Sequence, residues 1–81
     1  MTNTVPVLVP KVSMAAVDAT FTGWIAPDGS TVELQQPIYI VATDKIEMEV
    51  EAPAAGTLWH GTAEVEVVYP VGHQVGIIEL A

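Results

Sequence analysis

The sequence predicts an all-β fold, a small flattened barrel or sandwich built from two similar four-stranded halves. Three observations predict it. Apolar and acidic residues alternate strictly from Ile46 to Glu51. Ile46, Met48 and Val50 share one face and Glu47, Glu49 and Glu51 the other, the period-2 pattern of a strand with one buried and one wet side. Short strand-like runs recur along the chain, and turn residues punctuate them. The apolar phase also repeats. A shift of 37 residues lays Val32, Leu34, Ile38, Ile40 and Val41 on Tyr69, Val71, Val75, Ile77 and Ile78.

Taken in order, the first strand is expected over residues 5–10 and ends at Pro10. Residues 12–19 lack helical periodicity and read as a surface loop. A second strand, over 21–25, is closed by Pro27-Asp28-Gly29. The turn Gln35-Gln36-Pro37 leads into a strand over 38–43, and Thr43-Asp44-Lys45 is a tight corner before the alternating strand 46–51. Pro53-Ala54-Ala55-Gly56 separates that strand from one over 56–59. Strands over 65–69 and 75–80 follow, with Pro70-Val71-Gly72 between them. Val7 and Pro10 match Val50 and Pro53 at a shift of 43. The change from 43 to 37 places six extra residues of the first half in the loop after Pro10. Two such halves related by an approximate two-fold axis put Lys45 at their junction, on an exposed hairpin corner, and the chain ends together at the opposite end.

The 81 residues are expected to form one domain, with its core over about 7–79. A hydrophobic fraction of 51% suffices for a packed core. There is no cysteine, hence no disulfide and no thiolate metal site. The N-terminal residues lack the pattern of a secretory signal, and no run approaches the ~18 apolar residues of a membrane span. Ten acids against two lysines give a net charge of −8, which argues against nucleic acid and against anionic membranes. Lys45 is therefore one of only two cationic side chains, with Lys11. It is set at a corner where another enzyme can reach it.

With these residues in view, the chain resembles a lipoyl domain of the biotinyl/lipoyl-attachment family, from about Val7 to Glu79. Thr43-Asp44-Lys45 resembles the family's signature at the modified lysine, and Ala52-Pro53-Ala54-Ala55-Gly56 its small-residue turn. Gly29 stands 16 residues before Lys45 and Gly56 eleven after it, spacings that lipoyl domains share. Each glycine suits a turn or a close strand approach. Pro37, Val71-Gly72 and Ile77-Ile78-Glu79 also fit. Three features depart from the pattern: Ala42 stands where Glu is common, Pro27-Asp28-Gly29-Ser30 stands where a Gly-Asp turn is common, and Glu64-Val65-Glu66 replaces a second Gly-Asp turn.

The resemblance implies a barrel-sandwich hybrid, and lipoate bound through an amide to the ε-amino group of Lys45. Thr43 and Asp44 would be read by a lipoyl ligase or transferase. It implies a non-catalytic carrier in the acyltransferase component of a 2-oxo acid dehydrogenase complex. Its partners would be a thiamin-dependent 2-oxo acid decarboxylase, an acyltransferase and a dihydrolipoyl dehydrogenase. The loop bearing Ser13, Met14 and Asp18 would face the decarboxylase. The location implied is the cytoplasm, or the mitochondrial matrix in a eukaryote.

Two alternatives remain at this point. One is a biotin carrier, whose Met-Lys-Met signature is missing on both sides of Lys45; the other is an unmodified adaptor module. His60 and His73 have no metal-ligand spacing, the three glutamates do not resemble a calcium loop, and no catalytic motif is found. Trp24 and Trp59 are expected to pack at the edge of the core.

Overall fold

A computed structural model describes residues 3–11, 17–44 and 46–80. Eight strands follow one another: β1 (Thr4–Leu8), β2 (Asp18–Trp24), β3 (Thr31–Val32), β4 (Pro37–Ala42), β5 (Glu47–Glu51), β6 (Gly56–His60), β7 (Val67–Pro70) and β8 (Gln74–Leu80). They form two antiparallel four-stranded sheets, one in the order β1-β8-β6-β3, the other β5-β4-β2-β7.

The expected repeat is written into the backbone. Replacing each strand by the one four places along converts the first sheet's order into the second's. The hydrogen bonds that tie loops to strands obey the same exchange. Gly29 N–H donates to Leu58 C=O and Glu66 N–H to Phe21 C=O, each at 2.7 Å. Gln35 N–H donates to Ala52 C=O at 3.0 Å and Gly72 N–H to Val9 C=O at 2.9 Å. The left-handed residues correspond as well: Gly29 (φ 79°) with Glu66 (φ 70°), and Gln35 (φ 69°) with Gly72 (φ 90°). The halves interleave, so each sheet takes two strands from either half.

The inner faces of both sheets meet in one apolar cluster, centred on Tyr39, Phe21, Ile38, Leu58 and Ile78. The rings of Phe21, Trp24 and Tyr39 lie 5.4 Å apart pairwise. Burial holds the Tyr39 hydroxyl neutral, with its pKa pushed far upward. That hydroxyl donates to Leu8 C=O at 2.8 Å and so joins the two sheets. A buried hydroxyl without such a partner would be costly.

Strand boundaries differ from the sequence reading in instructive places. Thr31–Val32 forms a strand too short to show any period. Asp18 and Ala19, expected in a loop, open β2 because β7 pairs with them (Asp18↔Pro70, Ala19↔Tyr69). Residues 12–16 of that expected loop lie outside the described residues. In β5 only Val50 is buried; Ile46 and Met48 are 44% and 38% exposed. Alternation marked their face correctly, since Met48 stands beside buried Val41. β5 is an edge strand, however, and toward the β4–β5 hairpin little covers that face. Trp24 packs against the core as expected, but Trp59 is 41% exposed on the outer face of the first sheet.

Candidate functional site

The β4–β5 hairpin sets the geometry of the site. β4 is rooted between β5 and β2, with Val41 opposite both Met48 and Phe21. Pairing ends at Ala42↔Glu47, and Thr43 N–H then donates to Ile46 C=O at 2.8 Å. That bond closes the hairpin between Thr43 and Ile46. Thr43 is half-buried, and Asp44 and Ile46 are exposed. Lys45 itself lies outside the described residues, as do Ser13 and Met14. The exposed Glu47, Glu49 and Glu51 run back from the turn on the outer face of β5.

Asp18 opens β2 two residues before Thr20, which pairs with Ala42. The start of β2 thus stands level with the hairpin turn. The turn after β7 is at the same end, where Val71 N–H donates to Val17 C=O at 2.9 Å. The chain ends lie at the other end: Thr4 pairs with Glu79, and Leu80 N–H donates to Asn3 C=O at 2.9 Å. The β1–β8 ladder runs from Thr4↔Glu79 to Leu8↔Gln74 beside the turn after β7, so the hairpin and the ends of the described chain are set apart by the length of β1.

Both singled-out glycines are required by the backbone, for different reasons. Gly29 sits in the turn closed by Ser30 N–H donating to Pro27 C=O, and its φ of 79° is the left-handed region. A Cβ there would also stand 3.3 Å from Cζ3 of Trp59. Gly56 is the first residue of β6, where a Cβ would overlap the carbonyl oxygen of Glu79 on β8. Both glycines shape the first sheet, whereas the hairpin belongs to the second.

The histidines are structural. His60 stacks on Trp24 at 4.0 Å, and its Nε2 lies 2.9 Å from Ala26 C=O. His73 stacks on Tyr69 at 4.6 Å. Among the described residues no three metal-binding side chains come together, and no helix is long and apolar enough to cross a membrane. The hairpin turn sets the exposed Asp44 and Ile46 on either side of position 45. Sequence reasoning found this turn from its residues. It did not foresee the exposed apolar pair Ile46 and Met48 beside it, because alternation names a face without saying what covers it.

Comparison with known proteins agrees with this geometry. The biotin–lipoyl family model, described as that of biotin-requiring enzymes, matches residues 5–77. The dihydrolipoyllysine-residue acetyltransferase component of the pyruvate dehydrogenase complex of Mycobacterium bovis is 35% identical over 94% of this chain. The corresponding component of the acetoin cleaving system of Cupriavidus necator is 35% identical over 91%. The chain spans only 14% and 20% of those relatives' lengths. The lipoyl domain of the 2-oxoglutarate dehydrogenase complex from Azotobacter vinelandii superposes with a TM-score of 0.71 at 23% identity, covering 95% of this chain and 96% of that one. A long-chain acyl-CoA carboxylase gives 0.75 at 14% identity over 96% of this chain and 7% of its own. Fold, family model and relatives converge, and the chain belongs to the biotin/lipoyl attachment family as a lipoyl domain of the kind found in acyltransferase components of 2-oxo acid dehydrogenase complexes.

Proposed function

We propose that Lys45 carries lipoate in amide linkage to its ε-amino group and that the domain presents it as a swinging arm within a 2-oxo acid dehydrogenase complex. The observation that carries this reading is the Thr43–Ile46 bond closing the β4–β5 hairpin, with exposed residues on either side of position 45. The lipoyl group, once attached, supplies a dithiolane that accepts an acyl group and hands it on. The protein's part is to root the arm, not to react. Strand β4, held by neighbours on both sides, fixes the root, while the turn leaves the amide open to several enzymes.

Amide formation removes the lysine's charge, so the hairpin, already lined by Asp44, Glu47 and Glu49, becomes more acidic. Asp44 is the mark that the attaching enzyme reads, with Thr43 holding the turn in shape. The lipoyl ligase or transferase is thus the first partner. The thiamin-dependent decarboxylase, the acyltransferase and the dihydrolipoyl dehydrogenase follow, and Asp18, level with the hairpin, faces the decarboxylase. No step needs a catalytic side chain from this domain. The cytoplasm or the mitochondrial matrix is where such a complex would work.

Intact mass after incubation with a lipoyl ligase, ATP and lipoate tests the proposal, beside a biotin ligase with biotin. A gain of one lipoyl group that Lys45→Ala abolishes is expected. A gain with biotin alone would make the chain a carboxylase carrier. No gain with either would leave it an unmodified adaptor. Lys45→Ala should keep the dispersed amide spectrum of the parent, since both neighbours of position 45 are exposed and substitutions at such surface sites add or remove little stability.

A further inference from the structure

An open sheet leaves one side of each outermost strand unpaired. The edges here are β1 and β3 in the first sheet and β5 and β7 in the second. In an antiparallel ladder successive residues aim their main-chain N–H and C=O alternately toward the neighbouring strand and away from it. One bond therefore settles which residues of an edge strand face outward.

In β1, Leu80 N–H donates to Asn3 C=O, so Asn3, Val5 and Val7 face β8 and Thr4 and Pro6 face away. Pro6 has no N–H to offer there, and the next outward carbonyl, that of Leu8, is taken by the Tyr39 hydroxyl. In β7, Val71 N–H donates to Val17 C=O, which turns Pro70 and Val68 outward. Pro70 again lacks the donor, and its C=O accepts from His73 N–H at 3.0 Å. β3 is only 2 residues long. Three edges are thus closed, two by proline and one by shortness.

The β5 edge is open. Thr43 N–H donates to Ile46 C=O, so Ile46, Met48 and Val50 face β4. Glu47, Glu49 and Glu51 then present both N–H and C=O outward. Among the described residues, none outside β4 bonds the main chain of these three. Glu49 stands where Pro6 stands in the other half, at a shift of 43. The scaffold accepts a blocking proline at this place, and β5 does without it.

The side chains of β5 select the occupant. Glu47, Glu49 and Glu51 line its outer face, while on the inner face Ile46 and Met48 are 44% and 38% exposed. A strand laid along β5 must offset acids on one face and cover two apolar side chains on the other. Alternating basic and apolar residues do both. A second copy of this chain does not: β5 laid antiparallel on β5 sets glutamate opposite glutamate, which is destabilising.

We propose that the β5 edge is a strand-docking site, along which an extended segment of a partner protein, alternating Lys or Arg with apolar residues, extends the second sheet. Such a strand lies beside the Thr43–Ile46 bond, so a partner bound this way holds the β4–β5 hairpin against itself. The proposal concerns the main chain of β5 and does not depend on what Lys45 carries.

The unmodified domain tests it, titrated with a capped peptide alternating lysine and valine and followed by proton–nitrogen spectra and amide hydrogen exchange. A dissociation constant on the order of 1 mM is expected for so short an edge. The amides of Glu47 and Glu49 should shift, and their exchange should slow severalfold as their N–H groups enter a ladder. Salt should weaken binding. A peptide of the same composition with its lysines gathered at one end should bind at least about tenfold more weakly. Glu49→Pro removes an outward donor without breaking a bond to β4. It should keep a dispersed spectrum and lose at least about tenfold in affinity. Glu49→Gln, which keeps the donor, should bind more tightly than Glu49→Pro. Absence of shifts up to about 5 mM peptide, five times the expected constant, overturns the proposal. So do shifts centred on β1 or β7, or equal binding of the two peptides. Shifts at Glu47 and Glu49 without slower exchange overturn it as well, since they would report charge attraction alone. Should Glu49→Pro lose its dispersed spectrum, the exchange of Glu47 and Glu49 in the parent decides.

Discussion

Gly29 and Glu66 hold the same place in the two halves of this domain. Both adopt left-handed backbone, and both donate their amide to a strand of the other half. One is the residue that this conformation suits; the other bears a side chain that this conformation penalises. Gln35 and Gly72 show the reverse assignment. The repeat thus conserves backbone geometry rather than residue type. Each half meets the same steric requirement at one of two turns with glycine and bears the cost at the other.

The largest effect should come from a position where the halves cannot be exchanged at all. Gly56 corresponds to Ala19, which is buried and keeps its methyl group. At Gly56 the same methyl would overlap the Glu79 carbonyl, backbone that cannot rotate away. Gly56→Ala should therefore cost about 3 kcal/mol, read as a lower urea midpoint with an unchanged slope. A cost near zero would mean that β6 and β8 separate freely.

Tyr39 corresponds to Gly76, so among the described residues this hydroxyl bond between the sheets has no counterpart in the other half. Tyr39→Phe should cost about 1–2 kcal/mol at neutral pH, because Leu8 C=O loses its donor. It should also change the alkaline limb. The folded-state pKa of Tyr39 is raised by burial. Its contribution is thus complete below the unfolded value of ~10 and is lost as pH rises beyond it toward the folded value. The parent should lose stability above about pH 10 more steeply than Tyr39→Phe. Parallel pH profiles would show that the hydroxyl is not buried in solution.

The smallest effect has the opposite sign. Glu66→Gly gives the second half the residue of the first. Relief of the left-handed penalty outweighs the added freedom of the unfolded chain, for a gain of about 0.5 kcal/mol. Thermal denaturation of Glu66→Gly beside the parent checks it. A loss would mean that the Glu66 side chain contributes more than its backbone costs.

The repeat and the strand alternation made the fold legible, since both are carried by local apolar phase. The hairpin was legible too, because Thr43-Asp44-Lys45 interrupts two strong strands. What escaped depends on neighbours distant in sequence. Thr31–Val32 is a strand only because β6 pairs with it. Ile46 and Met48 were assigned to the right face, yet they are exposed because β5 ends its sheet. Trp59 was expected to pack at the edge of the core, but its strand turns it outward. Nothing local to Glu66 announces a left-handed residue.

The pairing of Thr4 with Glu79 has a mechanical consequence. The two ends of the described chain leave side by side, from adjacent antiparallel strands. Tension applied through them peels β1 from β8 one hydrogen bond at a time, like a zip, instead of loading the whole ladder in shear. The domain should yield to a small pull from that end, while the hairpin at the far end, outside the line of force, keeps its shape until the first strand has gone.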